Sequence, residues 1–322
     1  MRREATLYTT RFRVMGGPAS VRFVDDRGAG EAVAIARAAE DEARRIERKF
    51  SRYRDDSVVS EINRNAGRTP VAVDDETVFL LEEALDLARL TLGRFDPSSG
   101  VLRRAWDFSK ARVPDPQEVE ALLPLVDYRQ IALRHATAFL RRTGMEIDLG
   151  GVGKEYAVDR VAGLLAARGV ASAVVSFAGD VRTVGGRGDG RPWAVGVADP
   201  RAPGRCRLTV RVAGAAGIAT SGDYERGFVE DGVRYHHLLD ATTGWPARGV
   251  ASATVVAATA REAGRFATAA ILLGPEAGAE LIERTPGIEG VALLEDGSLC
   301  ASEGMARLSD LPGSLYARYP LV

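Results

Sequence analysis

Residues 146–169 read EIDLGGVGKEYAVDRVAGLLAARG, and the architecture is read outward from this stretch. Residues 146–149 alternate as a strand and Gly150-Gly151-Val152-Gly153 make a turn. The positions after Lys154 then hold apolar residues at helical spacing up to a stop at Gly169. The chain returns as a strand through ASAVVSFAGDVRTVGG at 171–186. A glycine turn entering a helix lets backbone amides and the positive helix end approach a phosphate, with Lys154 as an added point charge. The spacing is not that of a Walker loop, and an ordinary tight strand-to-helix turn accounts for it equally.

Upstream, residues 7–24 alternate on either side of Met15-Gly16-Gly17-Pro18, which predicts a hairpin. Residues 30–50 place Ala32, Ile35, Ala36, Ala39, Ala43 and Ile46 on one helical face. A second helix is predicted over 75–93, with Asp75 as its cap and Gly93 as its stop. Downstream, short alternating runs from Trp193 to Val256 predict an antiparallel sheet, and 259–273 a last amphipathic helix. Hairpin-like pairs outnumber strand-helix-strand units, so the fold class is α+β and not a doubly wound parallel sheet. No repeat or low-complexity linker divides the chain. Pro114 and Pro116 flanking Asp115 mark the best place for a boundary, within 108–130, but the expectation is one domain over 1–322.

Composition narrows the function classes. Basic residues number 43 and acidic residues 44, so no global field draws the chain to nucleic acid or to an anionic membrane. Phosphate recognition must therefore be local. Lysine occurs only as Lys49, Lys110 and Lys154, which singles out Lys154 in its glycine turn. Cys206 and Cys300 have no metal-binding spacing and are too few for a disulfide framework, although one bridge between them is open. No run approaches the ~20 apolar residues of a membrane span, and the opening residues lack the ~7–15 apolar residues of an export signal. The expectation is a cytoplasmic protein as the chain stands, and an exported one if an apolar leader precedes Met1.

Two further segments hold candidate chemistry. Arg94-Phe95-Asp96-Pro97-Ser98-Ser99-Gly100, followed by Trp106, sets polar loop residues beside aromatics. That combination suits a clamp on a planar ring, or simply a loop with a core Phe and Trp. Ala219-Thr220-Ser221-Gly222-Asp223-Tyr224-Glu225-Arg226 is followed by Tyr235-His236-His237-Leu238-Leu239-Asp240-Ala241-Thr242-Thr243-Gly244, which holds two of the three histidines. In a strand, neighbouring side chains point to opposite faces, so at most one of the pair serves a given site. The plain alternative is one packed and one solvated histidine.

Taken in order, these segments resemble the FAD:protein FMN transferases, the ApbE family. The resemblance rests on Phe50-Ser51-Arg52-Tyr53, the FDPxxG stretch from Phe95 to Gly100, DLGGVGK from Asp148, Ala178-Gly179-Asp180, Trp193, SGDYER from Ser221 and HHLLDATTG from His236. It spans about Met15 to Gly274 and implies a T-fold-like α+β architecture, mainly antiparallel sheet with flanking helices. It further implies a flavin pocket of Met15, Tyr53, Arg94, Phe95, Asp96, Asp148, Lys154 and Leu238. Magnesium would be held by the Gly151 carbonyl and the Thr268 hydroxyl. The implied reaction joins the FMN half of FAD to a Ser or Thr hydroxyl of an acceptor flavoprotein and releases AMP. His237 is the candidate for handling the hydroxyl's proton.

The sequence also departs from the family pattern. Gly264 stands four residues before Thr268, where the family has a magnesium-binding aspartate, and Glu155 follows Lys154 where glycine is commoner. Gly17 replaces the threonine of Met-Gly-Thr, Ala178 replaces a glycine, and Ala241 replaces a proline. Losing a carboxylate weakens a magnesium site unless Glu262 or another acid compensates. Two alternatives therefore accompany the transferase expectation. One is a module that binds FAD without transferring it, and the other is an FAD pyrophosphatase in which water replaces the acceptor hydroxyl. Asp296-Gly297-Ser298-Leu299-Cys300-Ala301-Ser302, the stretch most like an acceptor motif, lacks a hydroxyl residue at the motif's fourth position and is predicted to be a turn.

Overall fold

The structure, a computed structural model, describes residues 6–311. In chain order it begins with β1 (Thr6–Val14), β2 (Gly17–Asp25), α1 (Ala29–Phe50), α2 (Val58–Arg64), β3 (Val71–Ala72) and α3 (Asp75–Leu90). After a loop containing α4 (Pro116–Glu120) come β4 (Ile131–Arg134), β5 (Thr137–Leu140), α5 (Gly153–Ala167), β6 (Ala173–Phe177) and β7 (Asp180–Val184). Then follow β8 (Trp193–Ala198), β9 (Cys206–Val212), β10 (Gly217–Gly222), β11 (Gly227–Glu230), β12 (Val233–His236), β13 (Leu239–Asp240), β14 (Trp245–Pro246) and β15 (Val250–Ala257). The described chain ends with α6 (Ala260–Leu273), α7 (Pro275–Arg284), β16 (Glu289–Leu294), β17 (Leu299–Ala301) and α8 (Glu303–Leu308).

The main sheet runs β1-β2-β6-β7-β10-β15-β16-β17, and every neighbouring pair is antiparallel. Alternation along its strands sorts side chains to two faces. On one side, Ala19, Val21 and Phe23 of β2 and Ala173, Val175 and Phe177 of β6 join Ile35, Ala39 and Ile46 of α1 and Val158, Val161 and Leu165 of α5 in one core. Ala253, Val255 and Ala257 of β15 pack with Ala263, Ala267 and Ile271 of α6. On the other side, Ile218, Val256, Val291 and Leu293 lie under the β8–β9 ribbon and Met305 of α8. Strand β15 is buried at all eight positions because both of its faces are covered.

The mixed helix and antiparallel sheet architecture is the α+β class expected, and the opening hairpin, α1, α3 and α6 fall where the apolar periodicity put them. Asp74, not Asp75, caps α3, its carboxylate accepting from Thr77 N at 3.0 Å. The return segment 171–186 is two strands joined by a turn at Ala178 and Gly179, both with positive φ. No strand precedes the glycine turn: 146–149 form only one bridge, between Ser99 and Glu146. The physical reason is that Asn63 takes both backbone groups of Ile147, and Asp148 N donates to Pro97 O at 2.8 Å, so no ladder is needed. Of the turn predicted over 296–302, only residues 296–298 lie in the turn between β16 and β17; Leu299–Ala301 form β17, paired with β16, and Ser302 caps α8.

Two of the sequence departures meet here. A methyl on Gly17 would stand 2.8 Å from Cβ of Ala178, which sits at φ 46°. Gly17→Thr alone is therefore expected to cost about 1–3 kcal/mol of unfolding free energy in urea titrations. Adding Ala178→Gly should recover it, since glycine both vacates the space and adopts positive φ freely. Equal stability of the single and double variants would refute that pairing.

Candidate functional site

The glycine turn and the start of α5 place Lys154 beside the buried end of β7. Its Nζ lies 2.7 Å from Asp180 Oδ2, and Asp180 Oδ1 accepts from Thr220 N at 3.1 Å. The Asp180 side chain is 1% exposed. Burial alone would lower the Lys154 pKa, but the charges of Asp180 and Glu155 overcome it and hold the ammonium above its ordinary value. Glu155, the next residue, is 8% exposed. Burial and the Asp180 charge push its carboxyl above the ordinary carboxylate range, against the pull of Lys154.

Asp148, at the start of the turn, accepts from Arg52 Nη1 at 2.6 Å and from its own turn through Gly150 N at 2.8 Å. Arg52 Nη2 also donates to Gly100 O at 3.0 Å. One guanidinium thus ties the FSRY, FDPSSG and DLGGVGK segments together. Tyr53, beside it, is 78% exposed, with its ring 5.6 Å from the Arg52 guanidinium carbon. Phe95 packs on Gly151 so closely that a methyl there would stand 2.6 Å from Phe95 Cε2, which explains why glycine occupies that position.

Arg94 Nη1 donates to Leu272 O at 3.0 Å and to Asp240 Oδ2 at 3.3 Å, linking the loop to the end of α6 and to the HHLLDATTG segment. Asp96 is buried, and both of its oxygens are already engaged. Oδ1 accepts from Ser98 N and Ser98 Oγ at 2.7 and 2.6 Å, and Oδ2 from Tyr128 N at 2.7 Å. Burial raises its pKa while those bonds oppose the rise. Asp96 therefore shapes the loop that carries Arg94 and Phe95. Trp106 is a core residue: it is 3% exposed and donates from Nε1 to Gly244 O at 2.8 Å.

The two histidines separate as alternation requires. His236 ends β12, is buried, and bonds through Nε2 to Ala247 O at 3.0 Å. His237 is half-buried, with Nδ1 3.3 Å from Arg226 O. Burial lowers its pKa to about 4. Leu238 packs with Phe95 against the α6 core. Arg226, from the SGDYER segment, reaches the hairpin turn, where a methyl on Gly16 would stand 3.6 Å from its Nη2. Met15 sits in that turn at φ 52°, a strained value for a non-glycine residue, and its N–H is held by Glu47 Oε1 at 2.5 Å.

Thr268 on α6 lies with its Oγ1 3.1 Å from Ser221 Oγ. Gly264, one turn earlier, faces Glu155: a methyl there would stand 2.5 Å from Glu155 Cγ. Glu155 Oε2 is buried and has no hydrogen-bond partner. Glu155 also shares a small cleft with Gly151 and Val152. Among the described residues, no three His, Cys, Asp or Glu side chains converge as a metal cage. A carbonyl, a hydroxyl and one orphaned buried carboxylate oxygen nonetheless suit a hard cation that completes its shell with water and phosphate oxygens. Sequence reasoning noted Glu155 only as a departure, and only its contact with Gly264 reveals its place.

The structure therefore gathers Lys154, Gly151 and Thr268 with Asp180 and Glu155, and joins Arg52, Asp148, Phe95 and Arg94 through the loop around them. A larger cleft than this one lies elsewhere, lined by Arg45, Glu76, Phe79, Tyr156 and Arg261. Its charges pair with one another: Arg45 and Lys49 both hold Glu76, and Tyr156 donates to it at 2.7 Å. No described helix is long and apolar enough to cross a membrane.

Comparison with known proteins identifies the family. The model of the ApbE family matches residues 15–292. The FAD:protein FMN transferase of Treponema pallidum is 34% identical over 310 residues, covering 91% of this chain and 86% of the relative. That of Vibrio cholerae is 30% identical, covering 84% and 82%. Among solved structures, the ApbE protein of Thermotoga maritima superposes with a TM-score of 0.84 at 35% identity, covering 94% of this chain and 99% of that one. The Vibrio cholerae flavin transferase ApbE gives a TM-score of 0.83 at 28% identity, covering 95% and 100%. With most of its length inside the family model and two such relatives covered nearly end to end, this chain belongs to the ApbE family.

Proposed function

We propose that this chain is an FAD:protein FMN transferase acting on an acceptor flavoprotein. The observation that carries the reading is that segments remote in sequence meet at one place: Arg52 with Asp148 and Gly100, Lys154 with Asp180, and Arg94 with Asp240. In the reaction, the oxygen of an acceptor Ser or Thr bonds to the FMN phosphorus of FAD. The bond from that phosphorus to the bridging oxygen breaks, AMP leaves with the electron pair, and the hydroxyl proton passes to a base.

Met15, Tyr53, Arg94, Phe95, Asp96, Asp148, Lys154 and Leu238 form the flavin pocket in this reading. Phe95, Leu238 and Tyr53 supply apolar and aromatic surface, while the polar members fix orientation. Lys154 is held charged by Asp180 and faces the phosphates as a point charge. Magnesium, held by the Gly151 carbonyl and the Thr268 hydroxyl, would neutralise charge on the pyrophosphate. His237 accepts the proton, and its burial keeps the imidazole neutral and ready to do so at pH 7.

The test is incubation of the purified protein with FAD, magnesium and an acceptor domain, with mass spectrometry of every product. An FMN-sized mass gain on the acceptor is expected. Free FMN plus AMP would instead mark a pyrophosphatase, and intact retained FAD a binding module. In the same assay, at saturating magnesium, His237 should contribute no fall in kcat/KM between pH 8 and pH 6, because its neutral form persists down to about 4. His237→Gln should lower kcat by about 10²–10⁴-fold with FAD affinity kept. A kcat/KM profile that falls with a midpoint near pH 6.5 would remove His237, as placed here, from the role of base.

A further inference from the structure

Two departures in this sequence face each other across the interface of α5 and α6. Gly264 and Thr268 are one turn apart and lie on the same face of α6. A methyl built on Gly264 would stand 2.5 Å from Cγ, 3.0 Å from Cδ and 3.1 Å from Oε1 of Glu155. The Glu155 carboxylate thus fills the volume that any side chain at position 264 would need. A side chain at 264 would have to displace Glu155 from its place.

Glu155 is also an unsatisfied group. It is 8% exposed, Oε2 has no donor to it, and the carboxyl lies against the like-charged carboxyl of Asp180. A buried carboxylate oxygen without a partner is costly and calls for a ligand to complete it. The nearby cations have other, closer partners. Lys154 Nζ is 2.7 Å from Asp180, while Arg261 and Arg265, which line the cleft that Glu155 shares with Gly151, each donate to Glu83 at 2.9 Å. Oxygen groups on the elements around this place include the Glu155 carboxyl, the Thr268 hydroxyl bonded to Ser221 and the backbone of Gly151, which lines the cleft with Glu155. Such a set suits a hard divalent cation and not a thiophilic one.

We propose that Glu155 is a ligand of the divalent cation, supplying from α5 the carboxylate that Gly264 cannot supply from α6. The inference rests on the transferase reading for the presence of a cation, and deepens it by naming the residue that holds the ion. The two departures form one exchange: the carboxylate has moved from one helix to its neighbour, and the position it left has lost its side chain.

The test is titration of the whole purified chain with Mn²⁺, following the free-ion signal by electron paramagnetic resonance, with and without FAD. FAD affinity is measured in parallel by flavin fluorescence, and folding by circular dichroism. Glu155→Gln keeps the shape of the side chain and is expected to weaken Mn²⁺ binding by at least about tenfold. The double variant Glu155→Gly with Gly264→Asp returns the carboxylate to α6 and should recover most of the affinity. Unchanged Mn²⁺ affinity in Glu155→Gln would overturn the proposal, as would a parent protein that binds no Mn²⁺ with or without FAD. A parent whose Mn²⁺ binding depends on Glu155 but which never modifies the acceptor would support the ligand and sink the transferase reading, so the two failures are distinguishable.

Discussion

Lys154→Met is expected to lower the unfolding free energy by about 3 kcal/mol and to reduce FMN transfer by at least about 10²-fold. The stability loss comes from the partner left behind. Asp180 is 1% exposed, and without the ammonium 2.7 Å away it becomes a buried carboxylate without a counter-ion. Breaking such a pair usually costs 3–5 kcal/mol. Because Lys154 itself is 28% exposed, water relieves part of the penalty and the low end applies. Lys154→Met with Asp180→Asn removes the orphaned charge and leaves an amide oxygen to accept from Thr220 N. Urea unfolding should then show most of the stability restored, while the acceptor assay shows no return of transfer. A single variant that loses less than about 1 kcal/mol would mean that solvent reaches Asp180 and that the pair stabilises little. Transfer that recovers in the double variant would show that Lys154 matters only through Asp180, not through a phosphate.

Trp106→Ala is expected to cost about 4 kcal/mol. Trp106 is the centre of an aromatic cluster, with Phe108 stacked at 5.4 Å, Trp245 edge-on at 5.2 Å and Tyr235 at 5.9 Å. Its indole N–H also holds Gly244 O at 2.8 Å. Truncation opens a cavity and frees the carbonyl that anchors the end of the HHLLDATTG segment. The loosened segment carries His237 and Leu238, so kcat should fall along with Tm. Trp106→Phe keeps most of the ring packing and loses one hydrogen bond, for which about 1 kcal/mol is expected, with FAD affinity unchanged. The opposite pattern, in which Trp106→Phe leaves stability intact but weakens FAD binding, would return Trp106 to the role of a flavin wall.

Much of the fold was legible because its signals are local. The spacing of Ala32, Ile35, Ala39, Ala43 and Ile46 is the buried stripe of α1 itself, and Met15-Gly16 provides the two positive φ values of the first hairpin turn. Adjacent histidines at a strand end must part company, and His236 and His237 do so. The segment 146–149 misled because alternation reports only which faces are buried. The partners that satisfied its backbone, Asn63 and Pro97, lie far away in sequence. Asp96 was legible only as a residue type: that its oxygens accept from Ser98 and from Tyr128 N, and so also organise the loop carrying Arg94 and Phe95, depends on the fold.

The sequence by itself determined the α+β class, the order of the motifs and the residues on which chemistry could rest, since each depends on near neighbours along the chain. It presented Gly17, Ala178, Glu155 and Gly264 as four unrelated departures. Only the tertiary structure arranged them as two pairs, Gly17 against Ala178 and Glu155 against Gly264, with the methyl of one or the carboxylate of the other filling space its partner leaves. The physical reason is that close packing acts between surfaces brought together by the fold. A residue added on one helix or turn is admissible when a distant neighbour has given up the same volume.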